Sequence, residues 1–194
     1  AQNLEKVRSV IGSTLFMTLI GGSIIAVLGW IFAEHILQLL GTDPKIMHLS
    51  LPYVRWMLVG SPLLFVYIIY TSILRGVGDS VTPLIALSLT SLIGLAVTPV
   101  LLKGYFGFPA LGIVAPAVAT IMGYAAVLIF LSFYLNYKNH PLKIDARLLK
   151  SIRHDSNLSK LILKLGIPTG IQMVTTSLAG LVIIGLVNHY GAHA

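Results

Sequence analysis

The stretch Leu74-Arg75-Gly76-Val77-Gly78-Asp79-Ser80-Val81-Thr82-Pro83-Leu84 decides how this chain is read. It sets an Arg, two Gly, an Asp and a Thr-Pro pair between two long apolar runs. Gly and Asp favour a tight reversal, and Pro suits the first turn of a helix. If both flanking runs cross a bilayer, so short a link makes them an antiparallel hairpin and holds its charges at the membrane surface.

The runs are long enough. A spanning helix needs ~20 mostly apolar residues. Residues 10–33 carry no charge and form the first predicted span. Residues 56–74 and 82–102 flank the quoted turn as the second and third. After Lys103, Gly104, Phe106, Gly107, Phe108 and Pro109 read as a loop, leaving 111–135 as the fourth. Residues 165–188 form the fifth. Composition agrees: 56% of the 194 residues are hydrophobic and 10% charged, against roughly 25% charged in a soluble domain. Mean hydropathy is +0.91. Backbone in lipid must satisfy its own polar groups, so these spans are helices; barrel strands would alternate polar and apolar residues. The fold class is an all-α polytopic membrane protein.

Helix ends have local signals. Asp43 before Pro44, and Thr82 before Pro83, each offer an N-cap followed by Pro at the first helical position. Gly41 reads as the stop of a short segment over 34–40, and 34–51 as an interfacial segment. Trp30, Tyr53, Trp56, Tyr134 and Tyr137 sit near span ends, as an aromatic belt requires.

Five spans alternate sides. The N-terminus, the 75–79 loop and residues 138–164 share one side, with ten of the 13 Lys and Arg. Lys45, Arg55 and Lys103 lie on the other. The positive-inside rule makes the first side cytoplasmic, as in a bacterial inner (plasma) membrane. Placement of charge at the membrane rim accounts for the net +7 without nucleic acid. The alternative use of these charges is a lipid headgroup site on 143–164.

The long polar stretch 136–164 reads as a linker ending in an amphipathic helix at 158–165. Leu158, Leu161, Ile162 and Leu165 share one face, and Lys160 and Lys164 another. It divides residues 1–137, one lobe, from 165–194, the first helix of another. There is no Met start, no signal-peptide pattern, and an apolar run leads straight into Gly191-Ala192-His193-Ala194. The chain therefore reads as an internal stretch of a longer protein. With no Cys, disulfides are excluded.

No Asp, Glu, Lys, Arg or His lies inside the five spans. A charge at mid-bilayer costs ~2.5–3.5 kcal/mol, so its absence argues against a proton relay, a metal cluster or a nucleophile–base pair here. The chain is expected to be neither an enzyme nor a cofactor binder. His189 and His193 have i, i+4 spacing, but Gly191 lies between them, and two loop histidines are the plainer reading. Small residues recur instead. Ala86, Thr90, Gly94 and Thr98 fall at i+4 steps on the third span, and Ala115, Ala119 and Gly123 on the fourth. Gly166 and Gly170 head the fifth. These suit close helix packing. The polar residues expected to line a substrate or cation cavity are Thr98, Thr120, Gln172, Thr175, Thr176 and Asn188. Pro99, Pro116 and Pro168 are expected to interrupt their helices, each freeing a carbonyl.

Four motifs carry a family resemblance. They are residues 36–53 from Ile36-Leu37-Gln38-Leu39-Leu40-Gly41-Thr42-Asp43-Pro44 to Tyr53; the 74–79 loop with Thr82-Pro83; Pro109-Ala110-Leu111-Gly112 through Ala119-Thr120; and Gly166-Ile167-Pro168 with Gly191-Ala192. Over essentially its whole length the chain resembles multidrug and toxic compound extrusion (MATE) transporters. The resemblance implies helices three to seven of a twelve-helix, two-lobe antiporter. Such a protein uses Na⁺ or H⁺ to drive export of small amphipathic, often cationic compounds, working with the remaining helices of the same protein in the lipid bilayer. In the loop motif the resemblance falls on Arg75, Gly76, Gly78 and Asp79. It also implies a departure. Family members often carry an Asn and an Asp on the fifth helix where this chain has Gly94 and Thr98, and some carry a Glu where it has Thr176. A coupling carboxylate is then expected outside this stretch. The other readings are a flippase for a lipid-linked precursor, a non-transporting membrane scaffold, or a degenerate relative that has lost coupling.

Overall fold

The computed structural model describes residues 2–40, 42–138, 142 and 156–190. They form six α-helices: α1 (Gln2–Leu39), α2 (Pro44–Val59), α3 (Ser61–Gly76), α4 (Val81–Lys103), α5 (Ala115–Tyr137) and α6 (Ser156–Tyr190), with two short 3₁₀ turns between α4 and α5. No strand occurs among the described residues. The chain divides into two compact units, Ala1–Arg153 and His154–Ala194.

Among the described residues, four helices are individually long and apolar enough to cross a membrane. A fifth crossing is made if α2 and α3, bent by 46° at their junction, count as one span. The chain is a multi-pass membrane protein. Many long apolar side chains of α4 and α5 point outward, Leu95 and Phe133 being about three-quarters exposed at 75% and 74%. Lipid supplies their surroundings, so these helices need not be amphipathic.

The turn read from sequence is built as a Schellman motif. The Asp79 amide donates to the Leu74 carbonyl at 3.0 Å and the Gly78 amide to the Arg75 carbonyl at 3.0 Å. Gly78 sits at φ +90°, a left-handed conformation that favours Gly. The start of α4 differs from expectation. Thr82 is its second residue, not its cap. Asp79 caps instead: its carboxylate accepts from the Thr82 amide at 3.0 Å and the Thr82 hydroxyl at 2.5 Å. Because α4 begins at Val81, the Thr82 amide is one of the first-turn donors without a helical acceptor, and Asp79 satisfies it through a charge-strengthened bond. At α2 the expected device is present. Asp43 accepts from the Lys45 amide at 2.8 Å, with Pro44 opening the helix.

Several expected breaks are absent. Residues 34–39 continue α1, because nothing there removes a backbone bond and Ala33 and Leu37 keep the same face buried. Residues 44–51 belong to α2. Residues 156–165 run unbroken into α6, so no separate amphipathic helix precedes it. Gly41, and most of the 139–155 linker, lie outside the described residues.

The real break is at Gly60. Pro62 at the first turn of α3 cannot donate back to α2, and Gly60 itself is wedged against α5. A β-carbon there would come within 2.4 Å of Ile121 Cγ1. Across the bundle, a β-carbon on Gly22 would meet the Pro62 Cα at 2.9 Å, and Ser61 donates to the Gly22 carbonyl at 3.3 Å. Small residues thus let α1 and α3 touch backbone to backbone. Half-buried Arg55 on α2 stands 5.3 Å over the Trp30 ring of α1.

The main core lies at the loop end of the first unit. Ile11 and Leu15 of α1, Tyr70 and Leu74 of α3, and Val127, Leu131 and Leu135 of α5 meet there. Leu142 joins them, 2% exposed. Its carbonyl accepts from the Tyr70 hydroxyl at 2.5 Å, which ties the residue beyond α5 back to the bundle. A smaller cluster of Leu101, Ala115 and Ala119 closes the opposite end.

Candidate functional site

Helices α3, α4 and α5 border a cavity of about 620 Å³. Its α4 wall carries Thr90, Gly94 and Thr98, and its α5 wall Pro116, Thr120 and Tyr124. The geometry of an α-helix explains the division of the small-residue rows. Each i+4 step advances roughly 40° around the axis. The row that starts at Ala86 in the core therefore turns onto the cavity from Thr90 and follows it to Thr98. On α5, Ala115, Ala119 and Gly123 are buried. The row one position on, 116-120-124, turns roughly 100° away and lines the cavity.

The lining is mostly apolar, with hydroxyls set among hydrocarbon and no charged side chain. Thr90 and Thr120 donate to the carbonyls of Ala86 and Pro116, both at 2.8 Å. These bonds satisfy the hydroxyl hydrogens and leave oxygen lone pairs to accept. Pro99 has no amide hydrogen, so the carbonyl of Leu95, another lining residue, lacks its usual helical donor. Tyr67 and Tyr124 face each other with ring centroids 5.1 Å apart and planes at 36°.

Thr98 and Thr120 are thus brought together on one cavity. Gln172, Thr175 and Thr176 belong to α6, in the other unit, and are exposed. Thr175 and Thr176 donate to the carbonyls of Ile171 and Gln172 at 2.9 and 3.0 Å. The side chain of Asn188, and His193 entirely, lie outside the described residues, as does the side chain of His189. Among the described residues no cluster of three His, Asp or Glu could hold a metal.

The three prolines stand at different places in their helices. Pro116 opens α5 in its first turn, where its missing amide costs no helix bond. Helices α4 and α6 run through Pro99 and Pro168 without a break. In α6 the Thr169 hydroxyl donates to the Leu165 carbonyl one turn back at 3.0 Å. Tyr67 and Tyr124 were not legible as lining residues. Tyr124 stands four residues after Thr120, a spacing that could have revealed it, but Tyr67 comes from a helix whose rotation the sequence does not show.

In the loop, Arg75 is exposed and donates to the Ser72 hydroxyl at 2.8 Å, Gly78 provides the left-handed turn, and Asp79 caps α4. Gly76 ends α3, with open space around its Cα.

Known proteins carry the same fold and sequence pattern. The MatE family model matches residues 1–100. The probable multidrug resistance protein YoeA of Bacillus subtilis (strain 168) is 41% identical over the whole chain, which spans 42% of that protein. The probable multidrug resistance protein YpnP of the same strain is 31% identical over 85% of the chain and 35% of its own length. An outward-facing structure of a multidrug resistance MATE family transporter superposes with a TM-score of 0.74 at 22% identity, covering 89% of this chain and 37% of that one. The chain spans less than half the length of these relatives. By its helices, its turn and these matches, the chain belongs to the MatE family.

Proposed function

We propose that the full-length protein exports small amphipathic or cationic compounds by alternating access between two six-helix lobes, driven by antiport of Na⁺ or H⁺. The observation that carries this is the 41% identity, over the entire chain, to a protein named for multidrug resistance. The 620 Å³ cavity supports it, since its size suits a drug-sized ligand. Its aromatic pair and hydroxyls provide surfaces for an aromatic or weakly polar guest.

The cavity also divides the labour. Its lining offers neutral oxygens from Thr98 and Thr120, and none of its side chains is a carboxylate. Hydroxyls and carbonyls help coordinate a small cation but do not carry a proton near neutral pH. The coupling carboxylate therefore comes from a helix outside this sequence. The charge distribution supports a cell-membrane protein with the 75–79 and 138–164 segments in the cytoplasm.

Efflux is tested by accumulation of a cationic dye in cells with and without the full-length protein. Lower accumulation, abolished by collapsing the ion gradients, is expected; equal accumulation overturns the proposal. The flippase reading needs cationic side chains for a pyrophosphate, and none lines the cavity. A scaffold without transport would leave dye accumulation unchanged.

A further inference from the structure

A second cavity lies at the loop end of the α3–α4 hairpin. It measures about 360 Å³ and is bordered by Ile68 and Arg75 of α3, Ser80 beside α4, and Leu84 and Leu87 of α4. It exists because α4 packs along α5 and only lightly on α3. Tyr67 and Leu87 border both this cavity and the larger one, so the cleft continues inward along α4.

The chemistry of its walls is ordered along the helices. At the mouth stands Arg75, exposed, whose hydrogen bond among the described residues goes to the neutral Ser72 hydroxyl and not to a carboxylate. Asp79, the nearest acid in sequence, is engaged with Thr82. Ser80 adds an exposed hydroxyl. Deeper in, Thr71 turns its hydroxyl back onto the carbonyls of Tyr67 and Ile68, and the surfaces left to a ligand are hydrocarbon. Leu84 and Leu87 are 62% and 57% exposed. From Ser80 to Leu95, α4 rises roughly 22 Å, enough to accompany an acyl chain. A cation at the membrane surface above an apolar cleft complements a phospholipid. A lipid with net negative charge gains at Arg75 what a zwitterionic lipid largely forgoes.

We propose that this cleft binds one anionic phospholipid from the leaflet that bathes the 75–79 loop. Its phosphate sits at Arg75 and Ser80, and one acyl chain lies along Ile68, Leu84 and Leu87. The inference is independent of the efflux reading. It is tested on the full-length protein in mild detergent by native mass spectrometry during titration with phosphatidylglycerol or phosphatidylcholine. Phosphatidylglycerol binds more tightly in its first equivalent. Arg75→Gln weakens it about fivefold and leaves phosphatidylcholine unchanged, while Arg75→Lys retains most of the preference. Leu84→Trp, which fills the cleft, weakens both lipids. Both positions are exposed, and unchanged thermal melting confirms folding. Equal binding of the two lipids, no effect of Arg75→Gln, or no effect of Leu84→Trp each overturns the proposal. The last is the result expected if another helix of the full-length protein fills the cleft.

Discussion

Gly78 and Asp79 show how much of a membrane hairpin can rest on two side chains. Gly78 holds φ +90°, so Gly78→Ala is expected to cost about 1 kcal/mol or slightly more. Asp79 does more, because Thr82 is buried and both its amide and its hydroxyl depend on that carboxylate. Asp79→Ala leaves a buried hydroxyl and a helix N-terminus unsatisfied, at about 1–3 kcal/mol. Asp79→Asn keeps an acceptor and loses less. Thermal unfolding of the full-length protein in detergent should rank Asp79→Ala below Asp79→Asn. An equal melting temperature for Asp79→Ala and the parent would show that the cap does not hold α4. The sequence marked this loop as a turn but named the wrong cap. Thr82 before Pro83 has the right local pattern, yet the Schellman turn carries Asp79 over the first amides, and its carboxylate satisfies that of Thr82.

At the scale of helices, close approach is decided by single glycines. Gly21 and Gly22 are neighbours on α1 with opposite surroundings. A β-carbon on Gly21 meets nothing within 4 Å, while one on Gly22 meets the Pro62 Cα at 2.9 Å. Gly22→Ala must push the α3 backbone away and is expected to destabilise by about 1–3 kcal/mol. Gly21→Ala should be neutral or slightly stabilising, from helix propensity alone. Matched melting curves of the two variants check this, and equal shifts would refute the backbone contact. The same scale shows where local pattern misleads. Pro99 and Pro168 suggested interruptions, but each stands in a helix continued by its neighbours' bonds. The actual bend lies at Gly60, where Pro62 withholds a helix donor and where Ile121, far away in sequence, leaves no room for a β-carbon.

For the molecule as a whole, the cavity and the buried faces beside it make the testable claim. Thr98→Cys and Thr120→Cys in the full-length protein are expected to react with a water-soluble thiol reagent in at least one transport state, and a bound dye should slow both. Ala119→Cys, on a fully buried face, should stay unlabelled. Thr98→Cys that resists labelling in every state would remove it from the pathway. Tyr70 offers a second check. Tyr70→Phe removes the hydroxyl that bonds the Leu142 carbonyl and should lower the melting temperature, at about 1 kcal/mol for the lost hydrogen bond.

Length, apolarity and turn chemistry were enough to show an all-α membrane protein, its hairpin and its family pattern. Lipid leaves the backbone no alternative to helices, and a short polar link between two spans leaves them no alternative to antiparallel pairing. Which side of each helix met a neighbour, a cavity or lipid was settled only by packing. Thr90, Gly94 and Thr98 form one row with Ala86, yet that row winds out of the core and onto the cavity wall. Tyr67 reaches the same wall from α3, and Tyr124 from α5. Helix periodicity orders residues around an axis; the rotation of that axis against its neighbours depends on contacts such as Gly22 with Pro62 and Gly60 with Ile121, which join residues distant in sequence.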